Sequence, residues 1–284
     1  PERSTIPMKF STVTISGEQR VSLAEIDPGS TGSLTEHEAD RQLKELQAEL
    51  RELHDLMMAA QTHALLIVLQ GMDAAGKDVT IENVHAAFNP RAARVKAFKK
   101  PAGEETKHHF LWRADLATPM RGEAVTFDRS YYEQAMPESL SGDVSGERLE
   151  RRFAHINAFE RMLMDEGIIV VKIFLHVGKE TQAQRLEERQ DHIAEAWKLS
   201  ESDWLKRQDW DAYMDAYETI VNACATPEIP WYVVPADQPW YHNAAVAHLV
   251  VERLRPFREE WEQTRRQIGE EHQREAMEAR SGSS

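Results

Sequence analysis

The sequence predicts an α/β fold whose central sheet has five parallel strands. Five short apolar segments rich in β-branched residues alternate with longer segments of helical periodicity, and this alternation is typical of parallel sheets covered by helices. The 284 residues are 41% apolar and 29% charged, which is a globular composition with enough apolar material for a sizeable core. A chain of this length forms one large domain or two small ones.

The first predicted element is a long amphipathic helix. Residues 1–34 are rich in Ser, Thr, Gly and Pro, and we expect them to form an irregular lead-in. Thr35 and Glu38 fit a capping box, and apolar residues from Leu43 to Met57 recur at spacings of three and four. This pattern predicts a helix over residues 36–61, whose apolar face could pack on the core or on another subunit.

A strand, a glycine turn and a second helix follow. Residues 64–70 are apolar and rich in β-branched side chains, and they end at Gly71. This composition predicts a buried strand. The next helix is expected over residues 77–88, because the pair Asn89-Pro90 is a helix stop signal.

The alternation continues along the rest of the chain. Strands are predicted at residues 93–98, 123–128, 168–175 and 231–235. Helices are predicted over residues 104–116, around 149–163, over most of 179–224 and from about residue 241 onward. A polar loop is expected at residues 137–146, and the charged end of the chain is expected to fray. We therefore expect a single domain over residues 35–258, followed by a charged tail over residues 259–284.

The overall charge and the apolar runs disfavour several classes of protein. With 34 basic and 48 acidic residues the net charge is −14, which disfavours general binding to nucleic acids or anionic membranes. The longest apolar run, residues 167–175, is far shorter than the ~20 residues of a membrane helix. No secretory signal is visible, and the single cysteine, Cys224, cannot form an intrachain disulfide. We expect a cytoplasmic protein.

One segment departs from the acidic background. Residues 77–129 contain ten basic and seven acidic side chains, so this segment carries +3 and the rest of the chain −17. A local excess of positive charge indicates a site for a small or linear polyanion. A chance fluctuation on solvated helix faces explains the composition equally well.

The strongest motif follows the first predicted strand. It consists of Gly71, Met72, Asp73, Ala74, Ala75, Gly76, Lys77 and Asp78. A G-x-x-x-x-G-K pattern between a strand and a helix is typical of a phosphate-binding P-loop. Backbone N–H groups and the helix N-terminus form an anion nest, and Lys77 adds a full positive charge. The alternative is a glycine turn that binds nothing.

Two carboxylates distinguish this loop from most P-loops. Position 78 is Asp, where most P-loops have a Ser or Thr that binds Mg²⁺. Asp73 lies inside the loop, where its charge would repel a phosphate unless a cation lies between them. Asp73 is therefore expected to bind Mg²⁺ or to orient a bound phosphate.

A second motif ends the strand predicted at residues 123–128. Asp128 is the last residue of this strand, and a carboxylate at that point can reach a magnesium ion beside a P-loop. Arg129 can bind a phosphate through two parallel hydrogen bonds. The alternatives are an ordinary strand-end Asp and an ion pair between the two side chains.

Two arginines in the charged helical region form a third candidate. Arg185 and Arg189 are four residues apart and share one helix face. P-loop kinases place a mobile lid after the fourth strand, and lid arginines close on the transferring phosphoryl group. A lid over about residues 179–207 would make both arginines phosphate ligands. From the spacing alone, a solvated helix with Glu–Arg pairs is the better explanation.

Several segments, in the same order, resemble the polyphosphate kinase 2 family: LQGMDAAGKD, FNP, FKKP, FLWR, FDRSYYE, FERML, ERQD, WYVVPAD and WYHN. The resemblance extends from about Leu43 to Pro256. It implies a P-loop kinase-like three-layer αβα sandwich with a helical lid. It also implies reversible phosphoryl transfer between inorganic polyphosphate and nucleotides, with Mg²⁺ or Mn²⁺. The single kinase unit is most similar to the group that phosphorylates both nucleoside mono- and diphosphates (AMP to ADP, ADP to ATP).

The resemblance also implies roles for individual residues. Asp73 is implied to handle the acceptor phosphate and the metal, and Lys77 to bind phosphate. Asp128, as the second metal ligand, and Arg129 match the strand-end pair. Arg189 matches a lid arginine of the family. Lys99 and Lys100 match basic residues near the polyphosphate. The chain departs from the family where QAMPESLSGDVSG replaces a Val-rich run and where QDHIAEAWK lacks a proline.

Two other functions agree with the same motifs. An ATP-dependent nucleotide or small-molecule kinase needs the loop but no extended basic track. A P-loop nucleotide switch would hydrolyse nucleotide slowly and act through a partner, although Asp78 in place of Ser or Thr argues against ordinary switching. We expect inorganic polyphosphate and nucleotides as substrates, and a homo-oligomer.

Overall fold

The centre of the molecule is a six-stranded sheet. The computed structural model describes residues 10–136, 140, 145–191 and 201–281. The strands are β1 (Val13–Ile15), β2 (Ala64–Gly71), β3 (Ala93–Ala97), β4 (Ala124–Asp128), β5 (Ile168–His176) and β6 (Trp231–Pro235). Their order across the sheet is β1-β6-β5-β2-β4-β3. Neighbouring strands are parallel except β1, which is antiparallel to β6.

Helices cover both faces of this sheet. They are α1 (Glu36–Ala60), α2 (Lys77–His85), α3 (Trp112–Asp115), α4 (Glu147–Asp165), α5 (Lys179–Asp191), α6 (Glu201–Gln208), α7 (Trp210–Ala223), α8 (Pro239–Leu254) and α9 (Arg258–Ser281). Thr126 on β4 hydrogen-bonds to α2, whereas Lys172 on β5 forms a salt bridge with α4. These two residues are level with Ile67 and Val68 of β2. Since successive side chains of a strand point to opposite faces, α2 and α4 lie on opposite faces of the sheet.

The helix predicted over residues 36–61 is confirmed as α1, and its apolar face packs on the core. The Thr35 hydroxyl accepts the N–H of Glu38, and the Glu38 carboxylate accepts the N–H of Thr35 at 2.9 Å, which forms the predicted capping box. Leu46, Leu50 and Leu53 are 2% exposed or less and belong to the main hydrophobic cluster. These leucines therefore pack in the core of the chain, which was one of the two predicted alternatives.

The predicted number of strands is wrong, since the sheet has a sixth strand contributed by the lead-in. Val13 is paired with Val233 and Ile15 with Trp231. A strand of three residues is too short to show an alternating pattern in the sequence. Backbone hydrogen bonds to β6 and the burial of Ile15, which is 1% exposed, stabilise it instead.

Residues 104–116 do not form the single helix that was expected. Gly103–Lys107 is a 3₁₀ turn, and only Trp112–Asp115 is α-helical. Arg113 donates a hydrogen bond to the carbonyl oxygen of Lys99 at 2.6 Å. This long-range contact holds the segment against the end of β3, which a continuous helix pattern cannot anticipate.

The charged end of the chain is helical through Ser281, and the expected fraying from residue 259 is wrong for the described residues. Trp261 is fully buried, and its indole N–H donates to His63 Nδ1 at 3.1 Å. Arg258 forms a salt bridge with Glu52 of α1 at 3.0 Å. These contacts hold the first turns of α9 on the domain.

Two of the predicted segments are described only in part. Residues 137–139 and 141–144 of the predicted loop lie outside the described residues, as do residues 192–200 of the predicted lid. The parts of the lid that are described are α5 and α6. Within the described ranges, no helix combines the length and the apolar composition needed to cross a membrane.

The pKa values of several histidines are lowered by burial. They are His54, His63, His85, His176, His242 and His248. The largest effects are at His85, where the pKa falls to about 4, and at His242, where it falls to about 3. These side chains are therefore neutral in the folded protein at pH 7.

The free energy of unfolding is expected to decrease as the pH is lowered from 7 to 5. In the unfolded chain a histidine protonates near pH 6.5, whereas folded His242 does not, so the unfolded state binds more protons. This difference costs the native state about 2 kcal/mol at pH 5 for His242 alone. Urea unfolding at the two pH values measures it. The pH effect should shrink in His242→Gln but not in His109→Gln, an exposed control, and an equal pH effect in all three proteins would contradict the prediction.

Candidate active site

The predicted P-loop connects the carboxyl end of β2 to the first turn of α2. Gly71 has φ +151° and Gly76 has φ +104°, conformations that favour glycine. A Cβ on Gly71 would lie 2.8 Å from the carbonyl oxygen of Leu175, and one on Gly76 would lie 2.7 Å from His242 Nε2. The loop is thus packed tightly against β5 and α8.

Lys77 folds back over this loop. Its ammonium group is buried and donates to the carbonyl oxygens of Gly71 and Met72, each at 3.0 Å. Burial and the charge of Arg129 lower the pKa of Lys77, and the charge of Asp73 opposes this shift. A desolvated cation held by two carbonyl groups is suited to bind an incoming phosphate.

Asp73 is the anionic centre of the site. It is 8% exposed. Its Oδ2 accepts from Lys206 Nζ at 2.8 Å, and its Oδ1 contacts Arg129 Nη2. Burial alone would raise the pKa of Asp73, but the charges of Arg129, Lys77 and Lys206 outweigh it and lower the pKa to about 2. The carboxylate is ionised under all ordinary conditions.

Asp128 lies beside this loop, at the end of β4. It is level with Leu69 of β2. Its Oδ1 is buried and has no hydrogen-bond partner among the described residues. Burial raises the pKa of Asp128, against the opposing charges of Lys77 and Arg129. An ionisable oxygen that is buried without a partner points to a ligand that the chain itself does not supply.

Arg129 forms its ion pairs with Asp73 and Glu133 rather than with the adjacent Asp128. Its φ is +60°, and its N–H donates to the carbonyl oxygen of Leu69 at 3.0 Å. The guanidinium contacts Asp73 and lies 3.9 Å from Glu133. Although burial by itself lowers it, the charges of Glu133 and Asp73 raise the pKa of Arg129. The alternative of a simple ion pair with Asp128 is not what the structure shows.

Lys206 and Glu133 belong to the site, although the sequence analysis did not select them as site residues. Lys206 comes from α6 and reaches Asp73 across 133 positions of sequence. Glu133 accepts a hydrogen bond from Gln70 Nε2 at 2.9 Å, which ties it to β2. Glu133 is the last residue of the FDRSYYE motif, so the motif contained a signal for it. A single lysine in a charged helix carries no such signal.

The two arginines of α5 are placed differently. Arg185 donates to the carbonyl oxygens of Ala74 at 3.0 Å, Ala236 at 2.9 Å and Asp237 at 2.9 Å. It therefore braces the P-loop through its backbone. Arg189 is half-buried one turn later on the same helix. Its predicted role at the transferring phosphate stays a prediction.

The other predicted phosphate ligands surround the loop. Met72, Ala74 and Ala75 are buried, and Ala74 has φ +61°. Asp78 is exposed on the first turn of α2. The exposed pair Lys99 and Lys100 follows β3, whose end lies next to the second carboxylate because Phe98 N–H donates to the Asp128 carbonyl oxygen at 3.0 Å. The sheet thus gathers the predicted residues at one edge.

The donor set fits a divalent cation with a preference for oxygen. The described residues contain no group of three or more His, Cys, Asp or Glu side chains arranged as a metal site. Mg²⁺ does not need such a group, because it is often bound by one or two carboxylates together with substrate phosphates and water. The unpartnered Oδ1 of Asp128 can supply one ligand. Asp73 is already contacted by Arg129 and Lys206, so it would act on a cation through water or after a rearrangement.

This arrangement is suited to phosphoryl transfer. The charges of Lys77, Arg129 and Lys206 act on one carboxylate from three separate parts of the chain, which are α2, the residue after β4, and α6. Three converging cations beside an anion nest can stabilise the charge of a transferring phosphoryl group.

Comparisons with known proteins agree with this chemistry. The sequence model of a family described as polyphosphate kinase 2 (PPK2) matches residues 33–261. An AMP/ADP-polyphosphate phosphotransferase from Meiothermus ruber is 40% identical over 237 residues, which is 83% of this chain and 89% of the relative. An ADP-polyphosphate phosphotransferase from Rhodopseudomonas palustris is 36% identical over 76% of this chain and 78% of its own length. The crystal structure of polyphosphate kinase 2 from Arthrobacter aurescens TC1 superposes with a TM-score of 0.81 at 35% identity, covering 88% of this chain and 92% of that one.

Proposed function

Since the chain belongs to the polyphosphate kinase 2 family, we propose that it transfers phosphoryl groups reversibly between inorganic polyphosphate and nucleoside mono- and diphosphates, with Mg²⁺ as cofactor. The chain is a phosphotransferase. Conversion of both AMP and ADP is proposed because the relative from Meiothermus ruber is named for both acceptors.

One observation carries this proposal: Arg129 and Lys206 both contact Asp73 in the P-loop, and the charge of nearby Lys77 acts on the same carboxylate. Two polyanions must meet in this reaction, so repulsion between phosphates is its main obstacle. Three cations from three separate parts of the chain offset that repulsion and hold the reacting groups in place. The acceptor oxygen belongs to a phosphate that is already ionised, so no strong general base is needed.

Each site residue has a distinct role in the proposed reaction. The P-loop backbone and Lys77 bind the phosphate to be transferred. Arg129 and Lys206 stabilise the charge that is shared between donor and acceptor, and Asp73 keeps both cations aimed at the loop. Asp128 would hold the magnesium ion, with Asp73 in support, and the bound ion would neutralise phosphate oxygens.

Further properties are part of the same proposal. The single buried thiol of Cys224 supports a cytoplasmic location. The net charge of −14 supports substrates that are bound locally, rather than nucleic acids or membranes. We expect a homo-oligomer and allow Mn²⁺ to replace Mg²⁺.

The decisive experiment measures nucleotide formation without any ATP. Purified protein is incubated with Mg²⁺ and long-chain polyphosphate, and with AMP or ADP separately. We expect ADP from AMP and ATP from ADP. Omission of polyphosphate controls for a contaminating enzyme that disproportionates ADP, and omission of Mg²⁺ tests the cofactor.

Each result decides between functions. Activity on one acceptor only would restrict the proposal to that acceptor. Absence of product from either acceptor, with the nucleotides still bound, would contradict the proposal. It would then favour an ATP-dependent kinase or a nucleotide switch.

A further inference from the structure

Arg113 is a buried cation close to the site that the mechanism above does not use. Its side chain is 7% exposed. Its guanidinium carbon lies 5.1 Å from the centre of the Phe98 ring. Phe98 is in turn hydrogen-bonded through its N–H to the carbonyl oxygen of Asp128 at 3.0 Å. The guanidinium is therefore placed at the end of β3, beside the end of β4.

Among the described residues, only one nitrogen of this guanidinium has partners. Nη1 donates to the carbonyl oxygen of Lys99 at 2.6 Å and to Glu105 Oε2 at 3.3 Å. Nε and Nη2 are buried and have no partner among the described residues. These two atoms form one edge of the guanidinium, the edge that binds an oxyanion through two parallel hydrogen bonds. Buried donors left without acceptors are unfavourable, so a ligand for this edge is expected.

The surroundings of Arg113 favour an anion. Lys99, Lys100 and Lys107 are exposed on the same segment, and no ion pair joins any of them to a described residue. Glu105 is the one acidic partner of Arg113 in the described chain, and it is a third exposed. The local charge remains positive after this pair is counted. Within the described chain Glu105 contacts Nη1 and leaves the Nε–Nη2 edge without an acceptor.

The position in the sheet distinguishes two phosphate sites. The P-loop lies at the end of β2, and β4 separates it from β3. Strands are about 4.8 Å apart, so the end of β3 lies about 10 Å from the P-loop. A donor held by the P-loop must be approached by the acceptor from the far side of the transferring group. An acceptor bound at the end of β3 would approach the transferring group along a path that passes Asp128 and Arg129.

From this geometry we propose that the Nε–Nη2 edge of Arg113 binds a phosphate of the acceptor nucleotide, while the P-loop binds the polyphosphate. In this proposal the segment with Lys99 and Lys100 lies on the acceptor side, whereas the family resemblance places these lysines near the polyphosphate. The inference rests on the proposed function and adds to it a second phosphate subsite. The ligand class is a nucleoside mono- or diphosphate. Arg113 is a binding residue in this scheme and takes no part in the transfer itself.

The test is a comparison of Michaelis constants in Arg113→Lys. Lysine keeps the positive charge and most of the aliphatic side chain but lacks the two parallel N–H donors of the guanidinium. The KM for AMP and ADP should rise about tenfold or more, and the KM for polyphosphate should stay within about twofold of wild type. Arg94→Gln serves as control, because Arg94 is exposed in the same basic segment and contacts Glu123 and the Thr118 carbonyl oxygen instead.

Each outcome has a defined meaning. Wild-type protein without turnover overturns the proposed function itself. With an active wild type, an unchanged nucleotide KM in Arg113→Lys overturns the subsite, and a raised KM for polyphosphate assigns Arg113 to the donor and overturns it as well. Should Arg113→Lys fail to fold, Glu105→Gln decides, since removing the nearby carboxylate should lower the nucleotide KM about two- to threefold. An unchanged KM there overturns the inference.

Discussion

Replacement of Asp128 by Asn is expected to lower kcat by about 10²- to 10³-fold while the protein stays folded. The substitution keeps the shape of the side chain but removes the charge that would hold the magnesium ion. Oδ1 is buried without a partner in the described chain, so the substitution removes no hydrogen bond of this oxygen to the described residues. Turnover at increasing Mg²⁺ concentration measures the effect, and the variant should need more Mg²⁺ for half-maximal rate.

The stability of Asp128→Asn should not decrease, and this separates a catalytic role from a structural one. Burial raises the pKa of Asp128 above its value in the unfolded chain. At neutral pH the folded state thus carries a charge that destabilises it, and a neutral amide removes that cost. Thermal unfolding should show an equal or higher midpoint. Asp115→Asn, an exposed carboxylate in the same basic segment, should be active, and retained activity in Asp128→Asn would remove Asp128 from the metal role.

Replacement of Lys77 by Met is expected to lower kcat/KM by about 10³-fold. Met keeps an unbranched apolar side chain of similar size, with sulfur in place of one methylene, and lacks the ammonium group. Among the described residues, Lys77 donates to the carbonyl oxygens of Gly71 and Met72. Asp73 would still have Arg129 and Lys206 as partners, so the loop should remain in place.

The fall in kcat/KM in Lys77→Met should be seen for both polyphosphate and the nucleotide, and the variant should remain folded. Because burial lowers the pKa of Lys77, the charged form is disfavoured in the folded state, and loss of the charge should not lower the unfolding midpoint. Initial rates with polyphosphate and ADP, and calorimetric binding of polyphosphate, measure the change. Lys179→Met is the control, because Lys179 is 40% exposed and pairs with Asp211. A Lys77→Met protein that binds polyphosphate normally would contradict the assignment of the P-loop to the donor.

Much of the site could be predicted from the sequence, because its central parts are local. The P-loop is eight consecutive residues that need only a strand before them and a helix after them. Asp128 and Arg129 end a strand whose apolar residues are themselves consecutive. Parallel pairing of β2 with β4 then brings the two motifs together, and five of the strands could be recognised by composition alone.

The tertiary structure decided the features that depend on distant contacts. Lys206 reaches Asp73 only because α6 folds back over the P-loop. Arg185, which shares a helix face with Arg189, is turned to backbone carbonyls behind the loop. Neither arrangement has a periodic or adjacent pattern that a sequence can display.

By itself the sequence determined the α/β class, the glycine-containing loop between β2 and α2, and the carboxylate at the neighbouring strand end. These follow from short-range rules, namely hydrophobic periodicity, glycine conformation and capping. Only the tertiary structure decided that the lead-in supplies an antiparallel edge strand, that residues 104–116 break into two turns, and that Arg113 keeps a free edge beside β3. The physical reason is that each of these depends on hydrogen bonds or burial between residues far apart in the chain, whose energies do not follow from local composition.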